Sequence, residues 1–161
     1  MASTAPRLVL VCGLPGAGKT TLARRLAKEM PALRLCPDEW MVQLGMDLWD
    51  EATRDRIERL QWRLAQEALH VGRSVILESG FWSRAERDEK RLGAGALGAG
   101  VELRYLDVPF DELWRRIALR NVEWERAWGT APITREHLAE WAGHFEAPDG
   151  AEMGLFDAPQ R

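Results

Sequence analysis

Eight consecutive residues near the start of the chain have the types and spacing needed to bind phosphate groups. Residues 13–20 read Gly-Leu-Pro-Gly-Ala-Gly-Lys-Thr and match the pattern G-x-x-x-x-G-K-S/T in full. The three glycines permit a close approach that a Cβ atom would block, so the loop can turn its N–H groups toward an anion. Lys19 is suited to placing its charge between the β and γ phosphates of a nucleotide, and the Thr20 hydroxyl is suited to binding Mg²⁺. The residues expected to bind the nucleotide are Gly13, Leu14, Pro15, Gly16, Ala17, Gly18, Lys19, Thr20 and Thr21.

The sequence on either side of this loop predicts the elements that hold it. Residues 7–12 form a short apolar run, RLVLVC, which is typical of a buried parallel strand. Residues 20–30 follow as a helix, with Leu22 and Leu26 on one face and Pro31 as the stop. An apolar strand before the loop and an amphipathic helix after it are the expected context of a phosphate-binding loop.

The rest of the chain alternates between predicted strands and helices. Three further strands are expected at residues 33–36, 74–78 and 101–108. Further helices are expected at residues 50–71, from a capping box at Ser83 and Glu86 onward, from Pro109 onward, and from Thr134 to about Phe145. The glycine-rich tract 93–100 is expected to fray its helix, residues 121–133 read as irregular, and residues 153–158 offer a weak fifth strand.

This alternation predicts where a ligand binds. Strands that alternate with helices imply a parallel sheet with helices on both faces, joined by right-handed crossovers. Ligands of such folds bind at the carboxyl ends of the strands. The functional side chains are therefore expected in the segments 13–20, 37–39, 78–84 and 107–109.

Two carboxylates and an arginine-rich helix follow the predicted strands. Asp38 lies just past the second strand, Glu78 ends the third, and residues 113–121 after the fourth read LWRRIALRN. With the phosphate loop, these features resemble the small P-loop kinases of the group that contains polynucleotide 5′-hydroxyl kinases, chloramphenicol phosphotransferase and zeta-toxin-like kinases. The resemblance extends from Leu8 to about Phe145, and only the loop is highly specific.

The resemblance implies a general base. In this group a carboxylate after the second strand accepts the proton of the substrate hydroxyl, and that role falls to Asp38. A hydroxyl that attacks the γ-phosphorus must lose a proton, and an aligned carboxylate can take it. The alternative is that Asp38 caps a helix beginning at Glu39, since Asp is a favoured N-cap residue and one residue can do both.

The resemblance also implies a role for the carboxylate at the end of the third strand. It places Glu78 near a Mg²⁺ ion bound by Thr20, where Glu78 would reach the metal through water or contact the substrate. Many relatives carry Asp at this position. The alternative is a strand-end carboxylate that binds a neighbouring arginine or backbone N–H.

Arginines of a lid complete the implied catalytic set. Arg116 and Arg120 are four residues apart and share one helix face. In the family such arginines enter the active site from a lid, here roughly residues 116–133, and stabilise charge on the transferred phosphoryl group. The alternative is a solvated face on which the arginines pair with acidic neighbours, namely Asp111, Glu112 or Glu123.

Residues near the third strand are candidates for binding the phosphate acceptor. Trp40 and Trp82 lie beside Asp38 and Glu78, where an aromatic ring can stack on a flat or cyclic acceptor. Arg84 and Arg87 are candidates for an anionic or polyhydroxyl acceptor. They read equally well as exposed charges among acidic helix neighbours. The set of candidate acceptor residues is Asp38, Trp40, Glu78, Trp82, Arg84 and Arg87.

Composition excludes several classes of protein. The 161 residues carry a formal charge of −3 with a pI of about 5.7, which argues against a dedicated nucleic-acid binder. No apolar run approaches the ~20 residues of a membrane helix. Cys12 and Cys36 lack the spacing of a zinc site or disulfide framework. The first residues lack the apolar middle of a signal peptide, so a cytoplasmic location is expected.

These patterns predict a single domain, residues 1–161, with a three-layer α/β/α P-loop NTPase fold. The parallel sheet is expected to have four or five strands, helices on both faces and an arginine-rich lid. The predicted activity is an ATP- and Mg²⁺-dependent kinase that phosphorylates a hydroxyl of a small molecule. The alternatives are a polynucleotide 5′-hydroxyl kinase and a nucleotide-binding switch that acts on a protein partner. The expected catalytic residues are Lys19, Asp38, Arg116 and Arg120.

Overall fold

Four parallel strands form the central sheet of the described chain. The computed structural model describes residues 4–128 and 132–160, without the side chains of residues 124–128. The strands of this part are β1 (Arg7–Cys12), β2 (Ala32–Leu35), β3 (Ser74–Glu78) and β4 (Gly100–Tyr105). Their order across the sheet is β2-β3-β1-β4 and every neighbouring pair is parallel. The predicted parallel sheet is confirmed.

Helices cover both faces of this sheet. They are α1 (Lys19–Glu29), α2 (Pro37–Gln43), α3 (Glu51–His70), α4 (Arg84–Ala96), α5 (Phe110–Trp128), α6 (Arg135–His144) and α7 (Gly150–Met153). Successive side chains of a strand point to opposite faces, so β1 contributes Leu8 and Leu10 to one core and Val9 to the other. The first core lies against α3 and α4, and the second lies against α1. The three-layer arrangement is confirmed.

Two segments are more helical than their composition predicts. The expected fraying at glycine tract 93–100 is wrong for its first half, since α4 continues to Ala96. Gly93 lies against the Trp62 ring, where an added Cβ would meet the ring at 2.7 Å, so glycine is selected there by packing. The irregular segment expected after residue 120 is helical to Trp128, and residues 129–131 of the expected lid lie outside the described residues.

The expected fifth strand does not form among the described residues. Residues 153–158 instead follow the short helix α7 and run along the edge of β4. Asp157 donates its backbone N–H to the Val101 carbonyl at 2.8 Å, and its carboxylate accepts the Val101 N–H at 2.7 Å. A side chain thus takes the N–H that a strand ladder would need. The tail covers the sheet edge without extending the sheet.

A buried ion pair anchors this tail to the body of the protein. The Arg87 guanidinium binds both oxygens of the Glu152 carboxylate, at 2.6 and 3.0 Å, and donates to the Phe81 carbonyl at 2.7 Å. The two side chains are only 1% and 2% exposed. Phe81 has a positive φ of 49°, which a residue with a side chain adopts at some cost, and the bond from Arg87 holds its carbonyl in place.

We expect Glu152→Gln to lower the free energy of unfolding by about 3–5 kcal/mol, because it leaves the Arg87 charge buried and uncompensated. Urea denaturation measures the loss. The double variant Arg87→Met with Glu152→Leu should recover part of it, since no charge is then buried. The Phe81 carbonyl would then keep only the hydrogen bond from the Cys12 thiol, at 3.4 Å. A Glu152→Gln protein within 1 kcal/mol of wild type would contradict this account of the pair.

None of the helices in residues 4–128 and 132–160 is long and apolar enough to cross a membrane. Both cysteines are buried free thiols. Burial raises the pKa of Cys12 to about 11 and that of Cys36 to about 12, so both remain protonated near neutral pH.

Candidate active site

The glycine-rich loop joins the end of β1 to the start of α1 at the carboxyl edge of the sheet. Gly16 and Gly18 have φ values of 84° and 95°, in the region that favours glycine. A Cβ on Gly16 would lie 3.0 Å from both the Ile117 side chain and the Leu113 carbonyl of α5. The loop therefore needs glycine there for backbone conformation and for packing, and α5 lies directly against it.

The loop delivers the N-terminus of α1 to the same place. Gly18 is the N-cap residue of this 11-residue helix, and no side chain caps it. The first N–H groups of a helix have no partner within the helix and carry a partial positive charge. This helix end is thus suited to an anion, and the sequence expectation of a phosphate site agrees with the geometry.

Lys19 is a partly buried residue whose ammonium group interacts with other charged side chains. Its Nζ donates to the carbonyls of Gly13 and Leu14 at 2.9 and 3.0 Å. Burial lowers the pKa of Lys19 to about 8; the charges of Asp38 and Glu78 act to raise it, and that of Arg120 to lower it. These charges act on one ammonium group, so the structure brings four of the predicted site residues into one electrostatic neighbourhood.

Thr20 and Glu78 meet in the first turn of α1. The Thr20 hydroxyl donates to Glu78 Oε1, and Arg34 donates to Glu78 Oε2 at 2.8 Å. Arg34 also binds both carboxylate oxygens of Glu39, at 2.7 and 2.6 Å. A hydroxyl and a carboxylate are the hard oxygen ligands that Mg²⁺ takes, and Mg²⁺ usually keeps several waters. The pair fits the predicted metal position, and Glu78 also binds the neighbouring arginine of the alternative interpretation.

Asp38 lies in the first turn of α2, which begins two residues earlier than expected, at Pro37. Its carboxylate accepts a hydrogen bond from Arg54 of α3 through Oδ1, and Arg54 also donates to the Leu48 carbonyl at 2.7 Å. The Asp38 side chain is 49% exposed. The side-chain cap of the alternative interpretation is not formed, because the N-cap is Cys36 and no side chain caps this helix.

The two lid arginines differ in their surroundings. Arg116 is exposed, binds Glu112 at 2.9 Å and donates to the Gly16 carbonyl at 3.2 Å. Hydrogen bonds from Arg115 and Arg116 lower the pKa of Glu112 to about 2. Arg120 lies one turn further along α5. Burial lowers the pKa of Arg120 below its ordinary value, and the charge of Asp38 opposes that shift. Arg120 therefore interacts electrostatically with the predicted base, whereas the contacts of Arg116 are to Glu112 and the phosphate loop.

The predicted acceptor residues do not form one group. Trp40 packs against the core beneath α3, and the Trp82 ring lies 6.1 Å from that of Trp141 on α6. Arg84 is exposed and pairs with Asp88 at 3.4 Å. Arg87 is completely buried in its pair with Glu152, so the structure places it in the core rather than at a substrate surface.

Two arginines that position the site were not predicted. Arg34 orients Glu78 from β2, and Arg54 orients Asp38 from α3. Arg34 stands in a strand whose other residues are Ala and Leu, and this was the available signal. Arg54 lies in an ordinary amphipathic helix that carries several other arginine, aspartate and glutamate residues, so no local pattern distinguishes it.

Comparison with known proteins agrees with this geometry. A family model described as an AAA domain matches residues 8–148. A structure of the Pnkp1/Rnl/Hen1 RNA repair complex is similar, with a TM-score of 0.73 and 20% identity over 94% of this chain. A gluconokinase from Sinorhizobium meliloti 1021 has a TM-score of 0.62 and 19% sequence identity over 91% of this chain. A sugar kinase from Janibacter sp. HTCC2649 has a TM-score of 0.65 and 25% sequence identity, also over 91% of this chain.

The lengths of these proteins differ. The chain spans 46% of the matched chain in the repair complex, 78% of the gluconokinase and 82% of the sugar kinase. A comparison with curated protein sequences found no match. The solved structures therefore support the fold.

Proposed function

The chain belongs to the AAA domain family, and from this premise we propose that it is an ATP-dependent kinase which phosphorylates a hydroxyl group of a small molecule. The neighbours with kinase activity in their names support phosphoryl transfer as the reaction class. One observation carries the proposal. Lys19 of the phosphate loop interacts electrostatically with Glu78, Asp38 and Arg120, and its neighbour Thr20 is hydrogen-bonded to the same Glu78.

The residues present fit a nucleotide with its metal. The loop and the N-terminus of α1 would hold the phosphates, in a loop whose positive φ values at Gly16 and Gly18 favour glycine. Lys19 would exchange its bonds to two loop carbonyls for bonds to phosphate oxygens. Thr20 would hold Mg²⁺ directly and Glu78 would hold it through water. The bound nucleotide would supply the phosphoryl group and the metal would neutralise its charge.

Two residues of the chain would carry out the remaining steps, which are proton acceptance and stabilisation of the phosphoryl charge. Asp38 would accept the proton of the acceptor hydroxyl, and Arg54 fixes the position of that carboxylate. Arg120 would place a guanidinium beside the phosphoryl group as its charge spreads over three oxygens. A carboxylate that takes the proton of an acceptor hydroxyl supports transfer over hydrolysis, whereas an arginine beside the phosphoryl group serves either reaction.

The experiment that tests the proposal is phosphoryl transfer from γ-labelled ATP with Mg²⁺ to a panel of hydroxyl acceptors. The panel includes sugars, nucleosides, aminoglycosides, other hydroxylated antibiotics and a 5′-hydroxyl oligonucleotide. Label on one acceptor supports a kinase and identifies its substrate class. Label that appears only as inorganic phosphate would favour the switch, and label on the oligonucleotide would favour the polynucleotide kinase.

We expect Lys19→Ala to lower turnover by about 10²–10³-fold, because the buried ammonium is the charge nearest the transferred group and nothing replaces it. Steady-state rates of label transfer measure the effect. Lys28→Ala is the matched control, since Lys28 is an exposed lysine in the last turn of the same helix. Equal turnover in the Lys19→Ala protein and the wild type would contradict the assignment of the phosphate loop.

A further inference from the structure

A cavity of about 400 Å³ lies between α3 and α4, at the carboxyl ends of β2 and β3. It reaches Glu78 of the candidate metal position and Pro37, the residue before Asp38. Its apolar wall includes Trp62 and Phe81, which are 8% and 6% exposed. The volume is that of a small-ligand site, and Pro37 at its edge is the chain neighbour of the predicted base.

The charge of this cavity is strongly negative. Five carboxylates and two cations line it, Asp55, Glu58, Glu78, Glu86, Glu89, Arg59 and Lys90. Each cation already pairs with a carboxylate of the same rim, Arg59 with Asp55 and Lys90 with Glu89. Glu78 pairs with Arg34. Glu58 and Glu86 are left without a salt bridge among the described residues.

Glu58 is the carboxylate whose surroundings most favour a cationic ligand. Burial raises its pKa, with Glu86 and Asp55 adding to that shift; the charge of Arg54 and a hydrogen bond from Ser79, at 3.3 Å, oppose it. Arg54 itself is hydrogen-bonded to Asp38 and to the Leu48 carbonyl. A positive group beside Glu58 would therefore stabilise a carboxylate whose charged form is disfavoured by burial, an effect that Arg54 and Ser79 offset only in part.

A second, independent observation points to a ligand in the same cavity. Gln61 lines it and is 2% exposed, yet its Nε2 has no hydrogen-bond partner among the described residues. A buried amide donor left unpaired is costly, so such groups normally meet an acceptor atom. Glu58 and Gln61 are three positions apart on α3 and share one face, so a single molecule can meet both.

We propose that this cavity binds the phosphate acceptor and that the acceptor is an amine-bearing polyol, such as an amino sugar or an aminocyclitol. Glu58 binds the ammonium group, the Gln61 amide donates to a hydroxyl oxygen, and Trp62 and Phe81 contact the carbon skeleton. The inference rests on the proposed kinase function, because the cavity opens onto Glu78 and the residue next to Asp38. It also disfavours polynucleotide ends and sugar acids, whose own negative charge the rim would repel.

The inference is tested with matched pairs of probes that differ in one charged group. The pairs are glucosamine with glucose and 2-deoxystreptamine with myo-inositol, and gluconate is the anionic arm. Isothermal titration calorimetry measures binding to the wild-type protein, and γ-labelled ATP with Mg²⁺ measures transfer. We expect the amine of each pair to bind about 10- to 150-fold more tightly than its neutral partner, the range for a hydrogen-bonded charged group.

Two variants separate the contributions of the two side chains. Glu58→Gln should abolish the preference for amines while keeping an acceptor for Ser79, and Glu67→Gln, an exposed carboxylate of the same helix outside the cavity, should keep the preference. Gln61→Leu should weaken binding of both members of a pair equally. It should not lower Tm, because it removes a buried donor that has no partner.

The outcomes distinguish this inference from the proposed function. Amine binding that depends on Glu58, without labelled product, would support the cavity assignment and overturn the kinase. Label on glucose, myo-inositol or gluconate in preference to the amines would support the kinase and overturn the cavity assignment. A preference that survives Glu58→Gln, or a failure of all five probes to bind, would overturn the cavity assignment as well.

Discussion

Replacing Asp38 by Asn is expected to lower kcat for phosphoryl transfer by about 10²–10⁴-fold, the range for a lost general base. The amide keeps the shape of the side chain and cannot accept the hydroxyl proton. ATP is expected to bind with little change, because Asp38 lies in α2 while the phosphate loop joins β1 to α1. The readout is label transfer to the acceptor found in the panel, with nucleotide affinity measured separately.

A matched control tests whether any loss belongs to this carboxylate. Glu51 is an exposed acid in the first turn of α3, as Asp38 is an acid in the first turn of α2, so Glu51→Gln should transfer phosphate at the wild-type rate. Transfer by the Asp38→Asn protein near the wild-type rate would remove Asp38 from the mechanism. A rise in KM for the acceptor with kcat unchanged would make it a binding residue.

The hydrogen bond between Arg54 and Asp38 allows a second test, of whether Arg54 positions the base. Arg54 holds the carboxylate through Oδ1 without touching the phosphate loop in the described contacts. A positioning role predicts that Arg54→Ala lowers kcat less than Asp38→Asn, and that both changes together cost no more than Asp38→Asn alone. Such non-additivity is the behaviour of residues that act as a unit.

How well this site can be predicted from sequence depends on whether the interactions that form it are local or join distant parts of the chain. The phosphate loop is local: Gly16 and Gly18 need positive φ, and Lys19 and Thr20 follow within the same turn of chain. The strands and the capping box at Ser83 and Glu86 are local as well. Two strands and the capping box form at the expected residues, and the other two strands differ from them by at most three residues. Short-range geometry can therefore be read from one sequence.

The errors concern contacts between distant parts of the chain. Arg87 follows a solvated pattern on α4, yet it is buried because Glu152, 65 residues later, lies opposite it. Arg34 and Arg54 orient the site carboxylates from 44 and 16 residues away. Charged side chains carry no periodic signal of their partner, since only the tertiary fold brings the two together. For the same reason, the sequence does not indicate that the Gln61 amide is buried without a hydrogen-bond partner.

The second large effect is expected at Arg120. Removing a guanidinium that stabilises the transferred phosphoryl group costs about 10³–10⁵-fold in kcat. Of the two predicted lid arginines, Arg120 interacts electrostatically with Asp38 and Lys19, whereas Arg116 binds Glu112 and the Gly16 carbonyl. We therefore expect Arg120→Ala to lower kcat by this factor, with a smaller rise in KM for ATP, and Arg116→Ala to lower it less.

Arg115 supplies the control for this series. It stands on the same helix, is exposed and binds Glu112 at 2.7 Å, so Arg115→Ala removes an equal charge away from the loop and should leave kcat unchanged. Arg120→Lys separates charge from geometry: a single ammonium cannot make the two parallel hydrogen bonds of a guanidinium to phosphate, so it should restore only part of the rate. Were Arg120→Ala to raise KM for ATP with kcat intact, Arg120 would bind the nucleotide in its ground state. Lys19 and the metal would then be the groups that stabilise the charge on the transferred phosphoryl group.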